Sequence, residues 1–142
     1  MKLREVMSTP AIRIHPEESV AVAARTMANY NIGAMPVCGS DGRLCGMITD
    51  RDIVTRCLAS GRPVTATTVR EVMTASIIAV RPDMEAADAA AIMGSKQIRR
   101  LPVMENGKLC GVVSLGDLSG KEETSTEAAN ALSQISSHIS RR

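Results

Sequence analysis

Aromatic residues are almost absent: Tyr30 is the one aromatic side chain in 142 residues, and there is no Phe or Trp. That excludes a nucleic-acid binder that stacks bases on aromatic platforms. It leaves a core of Val, Ile, Leu, Ala and nine Met. A dominant charge is also missing, and a formal net charge of +2 is too small to argue for polyanion binding. No apolar run approaches the length of a membrane span, and Met1 opens on a helix-like segment without a signal peptide. The expectation is a cytoplasmic protein with no membrane partner. The four cysteines, Cys38, Cys45, Cys57 and Cys110, form no Cys-x-x-Cys pair, and His15 and His138 stand alone, so metal-ligand spacing is absent. Cys45 and Cys110 sit inside apolar stretches and read as small buried hydrophobes. Gly-x-Ser-x-Gly, His-Glu-x-x-His and Gly-x-x-x-x-Gly-Lys are missing too, which argues against an enzyme and for no cofactor.

What is present is said nearly twice. Leu3-Arg4-Glu5-Val6-Met7 returns as Val69-Arg70-Glu71-Val72-Met73. Ile32-Gly33-Ala34-Met35-Pro36-Val37 returns as Ile98-Arg99-Arg100-Leu101-Pro102-Val103. The run from Gly42 through Cys45-Gly46 to Asp52 returns from Gly107 through Cys110-Gly111 to Asp117. A period of about 66 residues in two copies is too long for a solenoid unit and suits two half-domains sharing a core. The organisation reads as repeat 1 over 3–61, a Pro/Thr linker at 62–67, repeat 2 over 68–119, and a polar tail over 120–142.

Each repeat has the same order. A helical turn (3–7, 68–73) leads to a short strand (11–14, 77–80), broken by His15-Pro16 or Arg81-Pro82. A helix over about 19–30, capped by Ser19, carries the apolar stripe Val20, Ala23, Ala24 and Met27, matched by Ala86, Ala89, Ala90 and Met93. Two strands follow, joined at Asp41-Gly42 and at Asn106-Gly107. A second helix starts after Thr49 and ends near Gly61, with a counterpart after Ser114. Thr68 to Glu71 and Thr124 to Glu127 are capping boxes. The latter opens an amphipathic C-terminal helix with Ala128, Leu132, Ile135 and Ile139 on one face and Arg141-Arg142 at its end. It packs on its own domain or meets a partner subunit.

The chemistry concentrates at Thr49-x-x-Asp52 and Ser114-x-x-Asp117, each preceded by Gly and two apolar residues. The hydroxyl caps a helix whose free N–H groups favour an anion, and the Asp can accept hydrogen bonds from a ribose diol. The same spacing is also a plain capping box, and the residues alone leave both readings open.

This order of elements, ending in Gly-apolar-apolar-Ser/Thr-x-x-Asp, resembles the CBS (cystathionine β-synthase) domain, and the tandem resembles a Bateman module over residues 3–119. The resemblance implies an α/β (α+β) fold: two repeats, each a small three-stranded sheet with two helices, related by pseudo-twofold symmetry. It implies two clefts. Cleft A would take Met47, Thr49, Arg51 and Asp52, facing Arg70, Ser76, Ile77, Ile78, Ile98, Arg99 and Arg100. Cleft B would take Val112, Ser114 and Asp117, facing Arg4, Pro10, Ala11, Ile12, Ile32, Gly33 and Ala34. Cleft A gathers more arginine and should attract phosphate; cleft B has Gly33-Ala34 where cleft A has Arg99-Arg100.

The function so implied is a sensor of adenine nucleotides (AMP, ADP or ATP), with S-adenosylmethionine as the alternative ligand. The competing reading is a ligand-free dimerisation or interaction module that regulates a separate enzyme or transporter. A nucleic-acid regulator ranks third. A core without large aromatics buries limited surface, so a homodimer is expected. Ala23, Met27, Ala89 and Met93 then lie in the core or beside the helical interface.

Overall fold

The computed structural model describes residues 1–140; Arg141 and Arg142 lie outside the described residues, as do the side chains of His138, Ile139 and Ser140. The chain divides into two units. One comprises Met1–Ala11, Ile78–Asn106 and the chain from Cys110 onward; the other comprises Ile12–Ile77 and Gly107–Leu109.

The elements are α1 (Val20–Tyr30), β1 (Ala34–Cys38), β2 (Leu44–Thr49), α2 (Asp50–Asp52) continuing as π-helical Ile53–Leu58, α3 (Val69–Val72), α4 (Ala86–Lys96), β3 (Arg100–Glu105), β4 (Lys108–Ser114), α5 (Leu115–Ser119) and α6 (Ser125–Ser140). The Leu3–Glu5 turn is a 3-10 helix. Ser19 caps α1 as expected, its Oγ accepting from Val22 N–H at 3.2 Å. β1 pairs antiparallel with β2, Ala34 opposite Thr49, and β3 pairs with β4. The expected first strand of each repeat contracts to one bridging residue. Ile14 donates to Pro36 O and accepts from Cys38 N–H, and Val80 does the same between Pro102 and Met104. The prolines two residues on, Pro16 and Pro82, stop further pairing because they lack a donor.

The leading turns are exchanged. Leu3 N–H donates to Met84 O (2.9 Å), Arg4 N–H to Pro82 O (3.0 Å), and Ala86 N–H to Met1 O (2.8 Å), so the first turn of repeat 1 sits at the start of α4. Val69 N–H donates to Glu18 O (2.8 Å), Arg70 N–H to Pro16 O (2.9 Å), and Val20 N–H to Thr67 O (2.9 Å), so the first turn of repeat 2 sits at the start of α1. Leu3 is fully buried among Val80, Ala89, Met93 and Leu101; Val69 and Val72 are fully buried among Ile14, Val20, Met35 and Ile48.

The exchanged segment then runs along the outer edge of the second strand. Met47 and Thr74 exchange both backbone bonds (3.0 and 2.9 Å), and Ser8 and Val112 do likewise (2.8 and 3.2 Å). Each bridge lies beside a glycine. A Cβ on Gly46 would stand 2.5 Å from Thr74 O, and one on Gly111 would stand 2.9 Å from Ser8 O. Backbone approach of this kind admits no side chain.

Two packing expectations change. Ala24 is exposed, whereas its counterpart Ala90 is buried in a core that α6 supplies with Ala128, Ala131 and Ile135. The buried face of α6 is Ala128, Ala131 and Ile135, while Leu132 is 43% exposed. The helix turns this way because Gly94 of α4 lets Ala131 come close: a Cβ on Gly94 would stand 2.9 Å from Ala131 Cα. The C-terminal helix therefore packs within its own unit. Ala23, Met27, Ala89 and Met93 are all buried core residues, which leaves a helical interface to other side chains. No helix of the described residues is long and apolar enough to cross a membrane.

Two outcomes follow from this packing. Gly46→Ala and Gly111→Ala each lower unfolding free energy by about 1–3 kcal/mol in urea titrations, the scale of overpacking. Gly120→Ala, where φ is −76° and the nearest atom would be 3.5 Å away, leaves stability unchanged or slightly raised. A silent Gly46→Ala would show that the Thr74 bridge is dispensable. The second concerns Glu71, which accepts from Thr68 N–H (2.7 Å) and hydroxyl (3.1 Å) and from Arg62 (2.7 Å). These contacts, Thr68 N–H foremost, hold its carboxyl below the usual range. A lowered folded value adds stability above the unfolded carboxylate range and loses it as pH falls through the folded value. The Tm advantage over Glu71→Gln is therefore present near neutral pH and disappears on acidification, and a constant difference down to about pH 3 would refute it.

Candidate functional site

Both Ser/Thr-x-x-Asp segments fold as reciprocal caps. Asp52 N–H donates to Thr49 Oγ1 and Thr49 N–H to Asp52 Oδ2, both at 3.0 Å. Asp117 N–H donates to Ser114 Oγ at 3.0 Å and Ser114 N–H to Asp117 Oδ2 at 2.9 Å. The geometry follows from an extended Thr49 or Ser114 closing a strand and opening a helix. Each box uses Oδ2 of its carboxylate and leaves Oδ1 outside it.

The two carboxylates differ in their cations. Asp52 is 8% exposed, and its Oδ1 lies 3.8 Å from Arg56 Nε, one turn further along the helix. The same guanidinium donates from Nη1 to Val72 O (3.2 Å) and Met73 O (3.1 Å), the last carbonyls of the exchanged turn. Asp117 is half-buried and makes no ion pair among the described residues. Lys121 holds the matching position, but α5 ends at Ser119 and Lys121 has turned to an extended conformation, away from helical spacing. Arg56 was not singled out in the sequence, although its four-residue spacing from Asp52 in a helical stretch was the available signal.

The expected site residues distribute as follows. Met47, Thr49, Arg51, Asp52, Arg70, Ser76 and Ile77 fall in one unit with Ile12, Ile32, Gly33 and Ala34. Val112, Ser114, Asp117, Arg4, Pro10 and Ala11 fall in the other with Ile78, Ile98, Arg99 and Arg100. Within units, Asp50 N–H donates to Gly33 O (2.9 Å) and Leu115 N–H to Arg99 O (2.8 Å). A Cβ on Gly33 would stand 3.0 Å from Asp50 Oδ2, whereas Arg99 has Leu115 as its partner, which accounts for glycine in one repeat and arginine in the other. Arg70 is not a free cation, because its Nε donates to Glu17 Oε1 at 2.7 Å, and that bond raises its pKa. Among the described residues no three His, Cys, Asp or Glu side chains gather as a metal site requires.

Comparison with known proteins agrees with this duplicated architecture. The CBS domain family model matches residues 3–59 and again 69–122. CBS domain-containing protein YhcV of Bacillus subtilis is 39% identical over 134 residues, which is 94% of each chain. Hypoxic response protein 1 of Mycobacterium tuberculosis is 35% identical over 82% of this chain and 81% of its own. A crystal structure of hypoxic response protein I with two coordinated zinc ions superposes with a TM-score of 0.79 at 33% identity, over 84% of this chain and 98% of that one. The CBS domain pair of protein MJ0100, in complex with 5-methylthioadenosine and S-adenosyl-L-methionine, superposes with a TM-score of 0.77 at 28% identity, over 84% of this chain and 94% of that one. With both repeats matched and their capping boxes formed alike, this chain belongs to the CBS domain family as a tandem pair.

Proposed function

We propose that this CBS pair is a regulatory module that binds adenosine-containing ligands: AMP, ADP or ATP, with S-adenosylmethionine as the alternative. CBS-pair proteins are regulatory ligand-binding modules without catalysis of their own. The observation that carries the reading is the duplicated capping box, which leaves Asp52 Oδ1 and Asp117 Oδ1 outside its bonds. A carboxylate oxygen of this kind accepts from the vicinal hydroxyls of a ribose. We assign the adenosine contacts to Thr49, Asp52, Met47, Arg51 and Ile77 in one unit, and to Ser114, Asp117, Val112, Ala11 and Arg4 in the other. The MJ0100 pair, crystallised with two adenosyl compounds, supports this ligand class.

The working form we assign is a homodimer. Leu58 is 65% exposed and Val54 53%, four residues apart on the π-helical segment, and Tyr30 is 60% exposed. Apolar side chains this open favour a protein contact. The same residues favour the second reading, a module that serves a partner protein without a ligand.

Calorimetry with AMP, ATP and S-adenosylmethionine separates these readings. Asp52→Ala weakens the preferred ligand by about 1.5–3 kcal/mol, the scale for losing hydrogen bonds to a charged group. Unchanged affinity in both Asp52→Ala and Asp117→Ala removes the ribose assignment. Absence of saturable binding in the unaltered chain removes the nucleotide reading altogether. Light scattering reports a mass near twice 15.1 kDa, and Leu58→Asp returns it to the single-chain value; a single-chain mass for the unaltered protein refutes the dimer.

A further inference from the structure

Away from both capping boxes, the unit built on Ile12–Ile77 and Gly107–Leu109 holds an open cavity of about 480 Å³. Arg13, His15, Ser40, Asp41 and Lys108 supply its polar lining. Ile14 is pinned by backbone bonds to Pro36 and Cys38 and is buried at 7% exposure. In extended backbone its neighbours Arg13 and His15 then share the opposite, cavity-facing side. Glu17 N–H donates to His15 Nδ1 at 3.1 Å, so the ring carries its N–H on Nε2, which faces Ser40 Oγ at 3.2 Å. With that bond accepted, the Ser40 hydroxyl proton is available to a ligand.

The one carboxylate in the lining is already occupied. Asp41 Oδ1 accepts from Arg43 N–H at 3.0 Å, and Oδ2 lies 3.6 Å from Arg43 Nε. Among the described residues neither Arg13 nor Lys108 has a carboxylate within ion-pair distance. Lys108 lies along Gly42, its Cγ 3.8 Å from where a Cβ would stand. Burial pushes the Cys38 thiol up, against the opposing pull of the Arg13 guanidinium beside it. Two unanswered cations, a hydroxyl donor and a cavity of small-metabolite size make an anion site with room for an organic body.

We propose that this cavity binds a phosphorylated small molecule, its phosphoryl group held by Arg13, Lys108 and the Ser40 hydroxyl, independently of the adenosine contacts. The probe is inorganic pyrophosphate, titrated into the full chain at constant ionic strength and followed by amide chemical shifts and calorimetry. The expected result is saturable one-to-one binding with shifts centred on Ser40 and Lys108. Arg13→Gln/Lys108→Gln weakens it at least about tenfold, the scale for losing charge-assisted contacts. Ser40→Ala weakens it less, and saturating adenosine, which carries no phosphate, leaves it unchanged. Both cations are exposed, so the double variant keeps the native amide spectrum. Three results each overturn the proposal: no saturation, affinity unchanged in the double variant, or shifts confined to the Thr49–Asp52 and Ser114–Asp117 turns.

Discussion

Everything else in the fold depends on two places where backbone meets backbone with no side chain between. At Gly46 and Gly111 the second strand of each repeat accepts an extra antiparallel bridge on its outer edge, from Thr74 and from Ser8. The glycine that opens the Gly-apolar-apolar-Ser/Thr-x-x-Asp motif thus belongs to docking rather than to ligand chemistry. Once that bridge forms, the exchanged segment is in register. Leu3 or Val69 then fills the floor of a core otherwise made of aliphatic and Met side chains.

The same strand delivers the candidate binding group three residues later. Thr49 and Ser114 finish the strand and begin the helix, and the reciprocal cap consumes half of each carboxylate. A cap and a binding group are therefore compatible uses of one residue: the cap fixes the Asp rotamer, which lowers the ordering cost of any contact at the remaining oxygen. Arg56 adds an asymmetry, joining Asp52 to the carbonyls of the exchanged turn where the other repeat has only a departing Lys121.

Local signals were legible in the sequence because they are local. The Ser19 cap, the hairpin at Asn106-Gly107 with both residues at positive φ, and the two Thr/Ser-x-x-Asp boxes all depend on neighbours within four residues. The exchange of leading turns was not legible, since Leu3 and Val69 suit either repeat's core equally well and no local preference chooses between them. Ala24 and Ala90 illustrate the same limit. They occupy matching positions, yet only Ala90 lies in a core to which α6 contributes. Leu132 was misplaced because a helical stripe of Ala128, Leu132 and Ile135 and one of Ala128, Ala131 and Ile135 are both periodic, and the close approach at Gly94 selects the second. The candidate site itself rests on short-range geometry, whereas Arg56 mattered only once the exchanged turn had brought Val72 and Met73 to it.

The exchanged turns also change what a cut in the chain means. A nick within 62–67 does not release two autonomous halves. The N-terminal piece retains Leu3, which completes the other piece's core, and the C-terminal piece retains Val69 and Val72, which complete the first. Each fragment exposes a vacancy shaped like a segment of its counterpart, and the two behave as a complementing pair, each a chaperone for the other's closure. The 62–67 segment is itself docked on the start of α1, through Val20 N–H to Thr67 O and Ala21 N–H to Val64 O, and is not a border between folding units.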